Sequence, residues 1–142
     1  MENPPVLSAE KIIDIRFSEV DSMAIVWHGT YVKYFEDARE AFGKKYGLEY
    51  LRIYEQGFYA PLVELHLNYK QPLQYEHQAR IVITYRPSDA AKIIFDYAIY
   101  DLDTHQLAAT GHSVQVFLDM NRQLVLQTPD FYQVWKQKNG VK

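Results

Sequence analysis

A single long amphipathic segment, from about Thr30 to Tyr46, constrains the fold of this 142-residue chain more than any other feature. Its apolar residues recur every three or four positions, which is the period of an α-helix with one buried face. The buried stripe is predicted to comprise Tyr31, Tyr34, Phe35, Ala38, Ala41 and Phe42. The solvent-facing side is predicted to comprise Lys33, Glu36, Asp37, Glu40 and Lys44. Gly47 follows as a terminator of the helix.

Alternation with a period of two predicts strands on both sides of that helix. The predicted strands are Lys11–Ser18, Tyr59–Tyr69, Ala79–Tyr85, Lys92–Tyr100 and about 107–118. Two shorter helices are predicted over Tyr50–Gln56 and about 128–137. In the second of these, Thr128 is predicted as the cap and Pro129 as the first residue. Its packing face is predicted to comprise Phe131, Val134 and Trp135.

The order of these elements predicts an α+β fold. Turn residues at Pro87–Asp89 and Asp101–Thr104 connect the last three strands, which indicates an antiparallel meander. One long helix cannot cover both faces of a five-stranded sheet. We therefore expect an antiparallel five-stranded sheet wrapped around one long central helix, with its other face in water or used for assembly.

Composition excludes several classes of function. The chain has no cysteine, which rules out a disulfide, a thiolate zinc site and a cysteine nucleophile. A net charge of −3, without a run of Lys or Arg, argues against a nucleic-acid partner. No apolar run approaches the roughly 18–20 residues of a membrane helix, and residues 1–11 lack the pattern of a leader peptide. We expect one cytoplasmic domain over residues 1–142, with its core at about 8–120.

The loop before the long helix carries the residues that point to chemistry. Asp21 lies seven residues before His28-Gly29, at the predicted helix entrance. A carboxylate near free helix N–H groups is suited to attack on an acyl carbonyl, because the amides can hold the negative oxygen that forms. Other readings stay open at this point: Asp21 as a turn or cap residue, His28 as a structural histidine, Gly29 as a helix entry, and Glu19 as a solvated charge.

The segment Arg16–Arg39 also carries a family resemblance. Asp21 is followed by His28-Gly29-Thr30-Tyr31 and then by Tyr34-Phe35-Glu36-Asp37-Ala38-Arg39. In this respect, and in the order of its elements over roughly residues 8–120, the chain resembles the hotdog-fold acyl-CoA thioesterases of the 4-hydroxybenzoyl-CoA thioesterase type. One departure is that members of the family often carry glycine two or three positions after the aspartate, where this chain has Met23-Ala24.

The resemblance implies a mechanism and an assembly. Asp21 would act as a nucleophile or as a general base for water, and the backbone N–H of His28 or Gly29 would polarise the thioester carbonyl. The substrate would be an acyl-CoA, with an acyl carrier protein as the alternative carrier, and no cofactor would be needed. The site would lie at a subunit interface of a homodimer or homotetramer, with the acyl group in a tunnel between subunits.

Further residues are candidates for binding the substrate. Pocket lining is expected from Trp27, Tyr31, Tyr34 and Phe35, although aromatic residues at helical spacing also suit a core. Contacts to coenzyme A phosphates are expected from Lys70, Arg86 and Lys92, although surface cations are common. Glu64, His66 and Asn68 share one strand face, but the sequence offers no matching ligand cluster elsewhere, so no metal site is expected.

Two rival functions remain on the same scaffold. A hydratase or dehydratase would need a catalytic histidine paired with an acid, and His28 with Glu36 or Asp37 is a poor fit because both acids are predicted to face water. A binding module for acyl-CoA or an acyl carrier would need no turnover at all.

Overall fold

The computed structural model describes residues 5–142, so residues 1–4 of the N-terminal segment considered above lie outside it. The strands are β1 (Ser8–Asp14), β2 (Leu62–Tyr69), β3 (Gln78–Arg86), β4 (Lys92–Asp101), β5 (Gln106–Leu118) and the two-residue β6 (Leu124–Val125). The helices are α1 (Thr30–Tyr46), α2 (Tyr50–Glu55) and α3 (Asp130–Asn139), and Phe17–Glu19 forms a single 3₁₀ turn.

One antiparallel sheet carries the five long strands in the order β1-β3-β4-β5-β2, with β6 paired to β5. The predicted meander is therefore confirmed, and β1 and β2 flank it as the edge strands. Side chains on the face toward α1 are buried along the central strands, among them Ile81, Ile83, Tyr85, Ile93, Phe95, Tyr97 and Ile99. The sheet wraps around α1 as expected, since apolar residues at every second position can be buried only on one face.

Helix α1 has the predicted bounds, and Gly47 ends it in the left-handed conformation with φ 74°. The buried aromatic stripe fills the concave side of the sheet: the Phe35 ring stacks on Tyr97 of β4 with centroids 4.3 Å apart. On β5, Gly111 makes this contact possible, because a Cβ atom there would lie 2.5 Å from the Phe35 ring. Close approach of helix and sheet thus depends on a residue without a side chain.

The first strand was predicted too far along the chain. It runs from Ser8 to Asp14, and Phe17, which falls within the predicted strand Lys11–Ser18, lies outside it and is 76% exposed. The chain leaves the sheet at Ile15, whose N–H donates to the carbonyl of His77 outside β3. The Arg16 N–H then donates to Glu19 Oε1 (2.8 Å), which closes the 3₁₀ turn and rotates Phe17 outward.

The C-terminal helix also differs from its prediction. It begins at Asp130, so Pro129 precedes the helix and Thr128 lies outside it. Val134, predicted to pack, lies at the surface, and Tyr132 is buried beside Trp135 instead. Between Tyr132 and Tyr85 the two hydroxyl oxygens lie 2.7 Å apart, which joins α3 to β3. Among residues 5–142, no helix combines the length and the apolar character needed to cross a membrane.

A buried carboxylate joins two loops at the α1-entry end of the sheet. Asp101 accepts hydrogen bonds from the N–H groups of Asp103 and Thr104, and it pairs with His77 Nδ1 at 2.7 Å. Burial by itself raises the pKa of Asp101, but these hydrogen bonds outweigh it and hold the pKa below its usual value. The same bond to Asp101 raises the pKa of His77.

His77→Gln should reveal a pH window in stability. The His77 contribution is fully present below the unfolded imidazole pKa of about 6.5 and is lost as pH rises through the raised folded pKa. The Asp101 contribution is present above the unfolded carboxyl pKa of about 3.9 and is lost as pH falls through the lowered folded pKa. We expect the free energy of unfolding of wild type to exceed that of the variant by about 1–2 kcal/mol near pH 5, and by less at lower and at higher pH.

Urea unfolding across pH 3–9 measures this difference. His105→Asn is the control, because His105 is an exposed turn residue with positive φ that asparagine accepts. If the free energies of unfolding of wild type and His77→Gln differ by the same amount at every pH, the prediction is contradicted.

Candidate active site

Asp21 lies at the tip of a small hairpin formed by residues 20–26. Val20 pairs with Val26, the Asp21 N–H donates to Ile25 O (2.8 Å), and the Ala24 N–H donates to Asp21 O (3.0 Å). The side chain takes part too, because the Met23 N–H donates to Asp21 Oδ1 at 2.8 Å. Asp21 is therefore a turn residue, and the turn also holds its carboxylate in one place. Oδ2 accepts no hydrogen bond from the part of the chain that the structure describes.

Ala24 stands three positions after Asp21, where the family pattern often carries glycine. It adopts φ 60°, the left-handed conformation that closes the hairpin turn. Alanine reaches this conformation at a cost of about 1 kcal/mol or more, because its Cβ approaches the following carbonyl. The Met23-Ala24 departure therefore leaves the turn intact and places some strain in it.

The hairpin leads directly into α1. The Trp27 N–H donates to Glu19 O (2.8 Å), and the Thr30 N–H donates to Trp27 O (2.9 Å). Among the described residues, the backbone amides of His28 and Gly29 donate to no backbone carbonyl. These two N–H groups stand at the positive end of the 17-residue helix α1. The chain thus runs from the Asp21 hairpin through Trp27 into the start of α1, and the joint action of Asp21 with these amides stays a prediction.

Tyr69, a residue that the sequence analysis missed, orients the peptide between His28 and Gly29. Its hydroxyl donates to the His28 carbonyl at 2.6 Å. In a trans peptide the C=O and N–H groups point in opposite directions. A fixed His28 carbonyl therefore directs the Gly29 N–H away from Tyr69. The Tyr69 ring packs edge-on against Tyr31, with centroids 5.0 Å apart, which holds the phenol in place.

Trp27 covers the entrance of the helix. A Cβ atom at Gly29 would lie 2.1 Å from the Trp27 ring, so the indole rests directly on this glycine. The same ring lies 4.6 Å from the His28 imidazole, centroid to centroid. About half of the Trp27 side chain remains exposed, which leaves an aromatic surface beside the two amides.

Glu19 has a structural partner that the sequence did not suggest. Besides the Arg16 N–H, Glu19 Oε1 accepts a hydrogen bond from the Tyr34 hydroxyl at 3.1 Å. Burial and the nearby Glu19 charge raise the pKa of Tyr34, so its hydroxyl stays protonated and remains a donor. Glu19 therefore attaches the Asp21 loop to the first turns of α1.

The other predicted binding residues are spread over the molecule. Tyr31 and Phe35 are buried packing residues, and Tyr34 borders a polar groove between β1 and α1. Lys70 directly follows Tyr69 and so lies near the helix entrance. Arg86 is the last residue of β3 and Gln78 is the first. At a rise of about 3.3 Å per residue, the two lie about 26 Å apart. Lys92 begins β4 beside Arg86, so neither cation reaches Asp21 of the same chain.

A cavity that the sequence did not reveal lies on the β2 side of α1. Its volume is about 680 Å³, and its walls come from α1, α2 and the sheet. Most of the lining is apolar and includes Phe42, Leu48, Ile53, Phe58, Ile93 and Phe95. Arg39 also lines it, and Arg39 Nε is buried without a hydrogen-bond partner among residues 5–142. The cavity is therefore mostly apolar, and the charged residues of its lining are Glu36, Arg39, Glu40, Lys44 and Glu49.

The pairing considered for a hydratase at the start of α1 is not formed among the described residues. Within the described residues, no ion pair or side-chain hydrogen bond joins His28 to Glu36 or Asp37. Both acids are exposed on the outer side of α1, as predicted.

Ala24→Gly should relieve the strain in the Asp21 turn. Glycine adopts positive φ without steric cost, although it loses more backbone entropy on folding. We expect the free energy of unfolding to rise by up to about 1 kcal/mol, measured by urea denaturation. Ala41→Gly, within α1, is the control and should lose about 1 kcal/mol. Equal losses in both variants would contradict the strain assigned to Ala24.

The chain is similar to known proteins in sequence and in fold. The chain is 31% identical over 93 residues to the "Putative acyl-CoA thioesterase YneP" of Bacillus subtilis (strain 168), which covers 66% of this chain and 67% of that protein. The structure of a DHNA-CoA thioesterase from Staphylococcus aureus superposes with a TM-score of 0.81, at 23% identity, over 92% of this chain and 90% of that one. The structure of the 1,4-dihydroxy-2-naphthoyl-CoA thioesterase from Synechocystis superposes with a TM-score of 0.79, at 18% identity, over 90% of this chain and 94% of that one.

The structural likeness confirms the predicted hotdog fold. The family model described as "Thioesterase-like superfamily" matches residues 15–136, which include the Asp21 hairpin, α1 and the whole meander. At the level of the family, the expectation of a thioesterase is likewise confirmed. The chain belongs to the Thioesterase-like superfamily.

Proposed function

We propose that this chain hydrolyses acyl-CoA thioesters at the junction of the Asp21 hairpin and the start of α1. The observation that carries the proposal is the direct continuation of a carboxylate-bearing turn into a helix entrance with two unengaged amides. A carboxylate can activate water or attack a carbonyl, and helix N–H groups can hold the resulting oxyanion.

The oxyanion is assigned to the backbone. As the carbonyl carbon becomes tetrahedral, its oxygen gains negative charge and accepts hydrogen bonds from the N–H of Gly29 and His28. The dipole of α1 adds a favourable field at the same point. Tyr69 acts through the His28 carbonyl, so it positions the Gly29 N–H without touching the substrate.

Two routes are open to Asp21. As a general base it takes a proton from water, the hydroxide adds to the acyl carbon, and collapse of the tetrahedral intermediate expels the coenzyme A thiolate. As a nucleophile it forms a mixed anhydride and expels the thiolate first, after which water hydrolyses the anhydride. Both routes end in a free acid, a thiol and the regenerated carboxylate. The free Oδ2 atom suits either route.

The 680 Å³ cavity is assigned to the acyl group. Arg39 lies ten residues beyond Gly29 on α1, which is about 15 Å along a helix axis. An acyl group that extends from the oxyanion site toward this cavity would run along the β2 side of α1. Among the three predicted phosphate-binding cations, Lys70 is placed to contact the coenzyme A of a substrate bound at Asp21 of the same chain.

The edge strand β2 is assigned to pairing with a second copy of the chain. Its outer edge has no neighbouring strand among the described residues, and it exposes Val63 (56%) and Leu65 (38%). An exposed apolar edge strand is a ready template for another strand. Pairing there would make a dimer with a continuous sheet. It would also cover the open side of the 680 Å³ cavity between β2 and α1.

Asp21→Ala should abolish hydrolysis and leave the fold intact. Loss of the general base or nucleophile is expected to lower kcat by about 10²–10⁴-fold. Free-thiol release from a panel of short, medium, long and aromatic acyl-CoAs measures this loss. Asp37→Ala removes an exposed carboxylate of α1 and is the matched control. Asp21→Asn is a weaker test, because deamidation would restore the acid.

Turnover of the Asp21→Ala protein at the wild-type rate would defeat the assignment. Binding of acyl-CoA by wild type without thiol release would favour the binding module, and a product heavier by one water would favour a hydratase.

Tyr69→Phe should lower kcat about ten-fold and change KM little. The variant keeps the ring and its packing on Tyr31 but loses the hydroxyl that fixes the His28 carbonyl, so the Gly29 N–H is aimed less well. Steady-state kinetics on the best acyl-CoA of the panel separates kcat from KM. Tyr75→Phe, in the neighbouring loop, is the control. A change confined to KM would assign Tyr69 to substrate binding instead.

A further inference from the structure

The outer face of the sheet, opposite α1, brings together two histidines that are far apart in the sequence. In the β2–β5 register, His66 lies directly opposite His112. Their ring centroids are 6.1 Å apart. A nitrogen ligand lies about 2.1 Å from a bound zinc ion, so two imidazoles at a tetrahedral angle on one ion have centroids roughly 5.2 Å apart. The observed separation is about 1 Å longer, a gap that a rotamer change of the exposed His66 side chain can close.

Asp96 sets the orientation of the His112 ring. The Asp96 Oδ1 atom lies 2.7 Å from His112 Nδ1. Asp96 belongs to β4, which pairs with one edge of β5, whereas β2 pairs with the other edge. A hydrogen on Nδ1 leaves the lone pair on Nε2, which points away from Asp96. Arg86 binds the second oxygen of the same carboxylate and anchors it. A histidine oriented by a carboxylate in this way is the usual arrangement around metal-binding imidazoles.

Glu64 supplies a third donor beside this pair. Its Oε2 atom lies 4.0 Å from His66 Nε2, and both side chains are mostly exposed. Exposed side chains change rotamer at little cost, so these two can turn toward the fixed His112 ring. Two imidazole nitrogens, one carboxylate oxygen and one water make a four-ligand set that suits Zn²⁺ and related ions.

We propose that His66, His112 and Glu64 bind a divalent transition-metal ion such as Zn²⁺ on the outer face of the sheet, with Asp96 holding His112 in position. The ion would connect the edge strand β2 to β5. Because it binds the folded chain, it would raise the unfolding temperature by mass action. The site lies on the face opposite α1 and Asp21, so this proposal does not depend on the proposed hydrolysis.

A second group of possible ligands is less suited to a metal. Atoms of His77, Asp101 and Asp103 lie within 4.8 Å of one another. However, both Asp101 oxygens are already engaged, one by His77 and one by two backbone amides. Asp103 Oδ2 accepts the Gln78 N–H. These groups complete each other's hydrogen bonds, as expected for a capped turn.

Calorimetric titration of the metal-free full chain with Zn²⁺ tests the proposal. Wild type should bind one Zn²⁺ per chain, and its unfolding temperature should rise with added Zn²⁺. His66→Gln and His112→Gln should both lose this binding and this rise. Asp96→Asn should bind about 10- to 100-fold more weakly, as loss of an orienting carboxylate does elsewhere. Ca²⁺, which prefers oxygen ligands, should produce no rise.

Two controls separate this site from other histidines. His105→Asn and His77→Gln should bind Zn²⁺ as wild type does. Unfolding of each metal-free variant shows whether it is folded before titration. The proposal is overturned if wild type does not bind Zn²⁺, if His112→Gln binds it unchanged, or if His77→Gln alone removes the binding.

Discussion

The packing of the α1 aromatic stripe into the curved sheet is the interaction on which the rest of the structure depends. Phe35 stacks on Tyr97 and occupies the space that Gly111 leaves open on β5. Because these contacts join helix and sheet through rigid rings, the direction of α1 is set along its whole length. The start of the helix, and with it the amides of His28 and Gly29, is positioned as a consequence.

The candidate active site is built largely from backbone. Its only proposed reactive side chain is Asp21, which a three-residue turn holds through its own carboxylate. The amides come from the peptide that Tyr69 orients, and Glu19 attaches the hairpin to Tyr34 of the helix. Such a site tolerates many sequences around it, since hydrogen bonds to backbone atoms depend on the path of the chain more than on side-chain identity.

The two faces of the sheet have separate roles. The inner face packs on α1 and borders the apolar cavity, whereas the outer face carries a charged row across four strands through Arg86, Asp96, His112 and His66. Arg86 shows how this row changes a prediction: the cation expected for coenzyme A phosphates is paired with Asp96 and lies at the far end of β3 from Gln78. In one chain, therefore, the proposed chemistry and the proposed metal site do not share residues.

Local pattern was enough to predict much of the fold. The bounds of α1, its buried stripe and the meander follow from periodicity and turn residues, which involve only near neighbours in sequence. The errors lay at β1, α3 and the start of β2, which was predicted at Tyr59 and lies at Leu62. A hydrogen bond from Ile15 to His77 ends β1, and Pro129 precedes the start of α3. Such ends depend on partners that periodicity does not contain.

The sequence by itself determined that a carboxylate precedes the entrance of a single long amphipathic helix. The seven-residue separation and the period of about 3.6 residues in the 17-residue helix depend only on near neighbours in the chain. Only the tertiary structure decided that Tyr69 holds the His28 carbonyl, that Arg39 lines a cavity and that His66 faces His112. These contacts depend on strand register and on the packing of α1 against the sheet. Both are set by the burial of the whole apolar face at once, not by any one segment.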